Sequence, residues 1–107
     1  MAARAQLLRA HAYNMAAIPS PKHMTPPPPV ITATVIGGLI VWRGSAGAVR
    51  YSVEKRFMGQ DWKPICDKCA TDADDPWVDP HPSLMGAQYR VIAWNADGVA
   101  SAPSDPR

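Results

Sequence analysis

The sequence predicts an all-β fold: an antiparallel sandwich of about seven short strands, preceded by one helix and a proline-rich linker. Two observations carry that expectation. From Val30 onward, apolar and polar residues alternate with a period of two. Turn chemistry then cuts the alternation into short runs, at Gly37-Gly38, "GSAG", "MGQD" and "NADG". Short strands separated by such turns belong to an antiparallel sandwich and not to a parallel sheet.

Residues 1–18 are rich in alanine and other good helix formers, in the run "AARAQLLRAHAYNMAAI". Leu8, Ala12 and Met15 fall at helical spacing, and Leu7, His11 and Ile18 widen the stripe. Pro19 ends the pattern, and "PSPKHMTPPPP" extends to Pro29. Each proline there lacks a donor and has a fixed φ, so residues 19–29 read as a stiff, extended spacer. An isolated helix of about 15 residues is marginal in water. Its stripe needs a surface, on the sandwich, on another chain or on a further domain; the last is the expectation here.

The strands follow in order. Ile31, Ala33 and Val35 alternate with Val30, Thr32 and Thr34. Beyond Gly37-Gly38, Ile40 and Trp42 point one way and Leu39, Val41 and Arg43 the other. Val49, Tyr51 and Val53 share a face. "WKPIC" reads as a short strand kept at an edge by Pro64. "DKCATDADD" reads as a polar loop, "PWVD" as a brief strand and "PHPSLMG" as a corner. Tyr89, Val91 and Ala93 alternate with Gln88, Arg90 and Ile92, and after the "NADG" turn "VASAPSDP" supplies a last edge strand.

Composition narrows the function classes. An apolar fraction of 47% suits a packed core. A formal charge of +2 without any Lys/Arg block argues against a nucleic-acid partner. Residues 35–42, the longest apolar stretch, are interrupted by Gly37 and Gly38, and a span needs about 20 residues, so no membrane partner is expected. No continuous apolar run follows Arg4 and Arg9, so a secretory signal is not visible.

From Pro26 to the end, the chain resembles a fibronectin type III domain. Trp42 in "LIVWRGS" stands where that family has a buried tryptophan on its second strand, and "YSVEKR" matches the Tyr-x-Val-Glu of its third. "SLMGAQYRVIAWNADG" supplies Leu84, Gly86, Tyr89, Val91, Ala93, Asn95 and Gly98 in the order of the tyrosine corner and the turn beyond it. The resemblance implies a core built on Trp42, Tyr51, Val53, Tyr89 and Val91, with the Tyr89 hydroxyl on backbone near Leu84. The helix, the linker and the segments "WRGSAGAVRYSVEK", "CDKCATDADDPWVD" and "YRVIAWNADG" are also similar to the C-terminal region of bacterial family 5 glycoside hydrolases, of the cellulase or mannanase type. That likeness implies a secreted or periplasmic parent whose catalytic barrel precedes this chain. The chain itself would be a non-catalytic accessory module, with that barrel as partner and β-mannan or cellulose as the parent's substrate.

The candidate chemistry is sparse, and no cofactor is implied. Cys66 and Cys69 form a Cys-x-x-Cys pair, readable as a local disulfide or as two free thiols. Zinc needs about four ligands, and beyond His81 no further one is evident. Asp72, Asp74 and Asp75, with Asp67 and Asp79 nearby, lack the glycine and terminal glutamate of a calcium loop. A solvated acidic loop that caps backbone donors is the better reading. A glycosidase carboxylate pair needs a cleft with aromatic walls, which a sandwich edge does not provide. Trp94 has the parity of an outward residue, with Arg50 or Ser52 beside it, and Trp77 should face inward. Trp94, Trp62 and Arg50 are therefore the candidate binding residues, for docking against a neighbouring domain or for sugar stacking. An independent adhesion domain is the remaining alternative.

Overall fold

The computed structural model describes residues 23–35, 37–83 and 86–107. The predicted helix over residues 1–18 and the corner at Leu84 lie outside these residues. Six strands form in chain order: β1 (Val30–Val35), β2 (Leu39–Arg43), β3 (Arg50–Phe57), β4 (Lys63–Ala70), β5 (Trp77–Val78) and β6 (Ala87–Trp94). They make two antiparallel three-stranded sheets, β1-β2-β5 and β4-β3-β6, and the described residues contain no α-helix.

One core lies between the sheets. Ile31 and Ile40 enter it from the first sheet; Tyr51, Val53, Ala70, Tyr89, Val91 and Ala93 enter from the second. The period-two reading of β6 holds at every position, with Tyr89, Val91 and Ala93 buried and their neighbours half-exposed. β3 is the central strand of its sheet. It runs in unbroken register with β6 from Arg50↔Trp94 to Phe57↔Ala87, so a shift by one residue would turn both apolar rows to solvent. Trp42 packs on the edge of the core, 5.5 Å from the Tyr51 ring at a tilt of 57°.

Three elements differ from expectation. β4 continues through Asp67–Ala70, where a polar loop was expected, and Ala70 pairs with Tyr51. Irregularities on either side of Val53 reset the parity of this edge strand, and so hide its second half from a period-two reading. Val49 is exposed and stands just ahead of β3. The segment after Gly98 forms no regular strand, although it follows β6 closely. Ser101, Ser104 and Arg107 donate their N–H groups to the carbonyls of Ala93, Val91 and Tyr89. Three of its residues therefore match two of β6. Pro103 and Pro106 favour that polyproline-like period. The Ser101 and Ser104 hydroxyls accept from the Ala93 and Val91 N–H groups at 2.9 Å, as ladder carbonyls would.

Candidate functional site

The outer face of β4-β3-β6 holds the residues singled out from the sequence. Cross-strand register sets Arg50 opposite Trp94, Glu54 opposite Arg90 and Arg56 opposite Gln88, all outward. Arg56 donates through Nε to Gln88 Oε1 at 3.0 Å, and Arg90 through Nε to Glu54 Oε1 at 2.5 Å. Trp62, from the β3–β4 connection, meets both guanidiniums, with its ring centroid 4.4 Å from Arg56 Cζ and 4.6 Å from Arg90 Cζ. Trp94 carries Lys68 Nζ at 4.1 Å from its ring centroid. Its indole N–H donates to Ser52 Oγ at 2.8 Å, and the same oxygen accepts the Lys68 N–H at 2.9 Å. The outward parity expected of Trp94 holds, and Arg50 lies across from it, exposed. Neither indole is a bare plate, because cations lie over both.

Cys66 and Cys69 are joined in a disulfide, with their Cα atoms 5.4 Å apart. Between them, at an irregular point of β4, Lys68 takes φ 56°, a left-handed conformation unusual for a residue with a side chain. The cross-link and the bond to Ser52 together hold that conformation and set Lys68 over Trp94. Reduction with dithiothreitol is expected to cost up to about 2 kcal/mol, as loop-closure entropy suggests. It should also change Trp94 fluorescence as the lysine leaves. Unfolding midpoints and emission spectra that do not change on reduction would contradict this.

The two sheets are also joined by a buried ion cluster. Asp79, directly after β5, is 2% exposed. Its carboxylate accepts from Lys55 Nζ at 2.7 Å, from the Tyr89 hydroxyl at 2.7 Å and from the His81 N–H at 2.8 Å. Lys55, on β3, also donates to the His81 carbonyl. Burial pushes the Asp79 carboxyl up, but the bonds from Lys55, Tyr89 and His81 outweigh it and hold it below its ordinary value. Burial, and then the Asp79 partner, push the Tyr89 hydroxyl well up. Gly38 closes the arrangement: at φ +80°, its missing Cβ would lie 2.9 Å from the Asp79 Cβ and 2.8 Å from that of Pro82. One expectation is corrected here: Asp79 does not belong with the acidic loop. The Tyr89 hydroxyl donates to its carboxylate, and the expected contact with backbone near Leu84 lies outside the described residues.

The rest of the acidic loop behaves as solvated turn chemistry. Asp74 accepts from the Thr71 N–H at 2.8 Å. Tyr51 accepts the Ser45 N–H at 3.0 Å, and burial followed by its bond to Asp72 raises its hydroxyl to about 12. No group of three metal-ligating side chains occurs among the described residues. Trp77 is half-buried against the core, as expected.

The described end of the linker is not free. Pro26 and Pro29 are buried against the domain. Asn95 Nδ2 donates to the Met24 carbonyl at 3.0 Å, and His23 Nδ1 meets Asp97 Oδ2 at 2.8 Å. Asn95 itself is 2% exposed, and its Oδ1 accepts the Asp97 and Val99 N–H groups, so one side chain holds both the turn and the linker.

Neither family models, nor curated proteins, nor solved structures match this chain. The site therefore rests on its own residues. Reading the sequence missed Lys55, Asp79 and Asn95 as structural centres. The one signal for them is that Lys55 has core parity on β3, where an unpaired charge is not tolerated. No helix among the described residues is long and apolar enough to cross a membrane.

Proposed function

We propose that this chain is a non-catalytic accessory module of fibronectin type III type that holds the segment preceding it in a fixed direction. The docked linker carries the reading. A spacer that only separates two domains has no need to bury Pro26 and Pro29 or to bond Met24 to a buried asparagine. The partition of β1, β2 and β5 against β3, β4 and β6 supports the family assignment. So does the Ser101–Arg107 segment, which runs beside β6 as a seventh element. The parent we propose is a secreted or periplasmic glycoside hydrolase of β-mannanase or cellulase type, on the strength of the sequence likeness. The Cys66–Cys69 disulfide is compatible with export.

The test is Asn95→Asp. It keeps the acceptor for Asp97 and Val99 and removes the donor to Met24. Tryptic cleavage after Lys22 is expected to quicken at least about fivefold, the equivalent of one hydrogen bond, and by more than cleavage after Arg56 within β3, while the carboxylate now at a buried position lowers the midpoint of unfolding. Equal cleavage rates in both proteins would contradict the bracing role. Turnover of mannan or cellulose oligosaccharides by the purified chain would contradict the non-catalytic one.

A further inference from the structure

We infer that the outer face of β4-β3-β6 binds a carboxylated polysaccharide through its cations, and that it does not stack neutral sugars on its indoles. The geometry separates these two modes. A neutral sugar needs an open aromatic plane, and here Trp62 and Trp94 carry guanidinium or ammonium groups at 4.1–4.6 Å from their ring centroids. The rings serve to hold cations in place: each cation–π contact orders a long side chain whose remaining donors stay outward. Among the described residues, Arg56 and Arg90 each engage only Nε with a neighbouring side chain, so the Nη ends of both forks are left for a ligand. Among the described residues, Lys68 Nζ has its ring contact and no ion pair, and Arg50 makes no ion pair. Against these four cations, the outward positions of β3 and β6 offer one acid, Glu54, already paired with Arg90, and β4 adds the exposed Asp67 next to Lys68.

The same face argues against a protein partner. Stable protein interfaces centre on desolvated apolar residues. The outward rows of β3 and β6 contribute none of the exposed large hydrophobics, which include Val30, Val35, Val78 and Val99 elsewhere on the domain. Ile92, half-buried opposite Ser52, is the one aliphatic side chain in these outward rows, and the cations on either side of it fit a hydrated polyanion. The Arg90 and Trp94 clusters lie four residues apart on β6, about 13 Å at ~3.3 Å per residue. One ligand can reach both only if it extends along the strand. The inference depends on this face alone and not on the identity of the parent enzyme.

Affinity electrophoresis of the full chain tests it, in gels containing polygalacturonate, carboxyl-reduced polygalacturonate or neutral mannan. Retardation is expected in polygalacturonate alone. It should vanish at about 1 M salt, where the screening length is ~3 Å. Arg50→Gln and Arg56→Gln should each weaken binding about threefold, and together about tenfold. Arg50→Gln serves as the folding control, because that side chain makes no hydrogen bond or ion pair among the described residues and the unfolding midpoint should stay nearly unchanged. Equal mobility in the charged and carboxyl-reduced gels overturns the inference, as does salt-resistant retardation in mannan. Competition by poly-glutamate or DNA at the same concentration as polygalacturonate overturns the choice of a polysaccharide.

Discussion

Replacing Lys55 with methionine is expected to destabilise the domain by about 3 kcal/mol at pH 7, the cost of leaving a buried carboxylate without its cation. Asp79 would keep the Tyr89 hydroxyl and the His81 N–H, but it is 1% exposed at the side chain and has nowhere to ionise cheaply. The pH dependence gives the effect its signature. In the native protein the Asp79 pKa lies below its ordinary 3.8, so its contribution is present above that value and lost as pH falls through the folded pKa. Without Lys55, burial dominates and the folded pKa rises. The penalty is then full above that raised pKa and shrinks as pH falls through it. Asp79→Asn should cost somewhat less, because Lys55 keeps the His81 carbonyl and borders a cavity of about 300 Å³ through which it can reach water. Urea unfolding of the three proteins between pH 3 and 8 measures this. A Lys55→Met penalty that does not vary with pH would refute the ion cluster as the link between sheets.

Tyr51→Ala is expected to cost about 4 kcal/mol, and Tyr51→Phe about 1 kcal/mol. The ring is fully buried between the sheets and tilts against Trp42, so truncation opens a cavity in the middle of the core. The hydroxyl contributes separately, through the Ser45 N–H and Asp72. Its raised pKa gives a second readout. The folded state favours the neutral phenol, so that part of the stability is complete below 10.0 and lost as pH rises toward about 12. Tyr51→Phe should remove this share of the alkaline loss and leave the share that belongs to Tyr89. Equal midpoints for Tyr51→Ala and Tyr51→Phe would mean that the ring does not fill the core.

The sequence revealed the parts of the fold in which one face is buried and the register is unbroken. Tyr51 and Val53 on β3, and Tyr89, Val91 and Ala93 on β6, announce themselves because a strand has only two faces. The second half of β4 was hidden because its irregularities break the alternation, and because Asp67, Lys68 and Cys69 are exposed on an edge. The Asp79 cluster was hidden for a different reason. Its partners are 24 and 10 residues away, and a lone aspartate after a proline-bounded strand looks like any loop acid. Trp94 was legible in parity but not in surroundings: its outward face follows from counting along β6, while Lys68 reaches it only through the disulfide loop. The linker shows where this kind of reading ends. "MTPPPP" has the same composition whether Pro26 and Pro29 lie in water or against the domain.

The backbone ¹⁵N order parameters of Met24 and Thr25 in the full chain test the bracing account most directly. If the domain truly grips what leads into it, these two amides should relax like those of β3 and β6, at about 0.85. Values below about 0.6 there, beside a rigid β3, would show a loose tether and contradict the account.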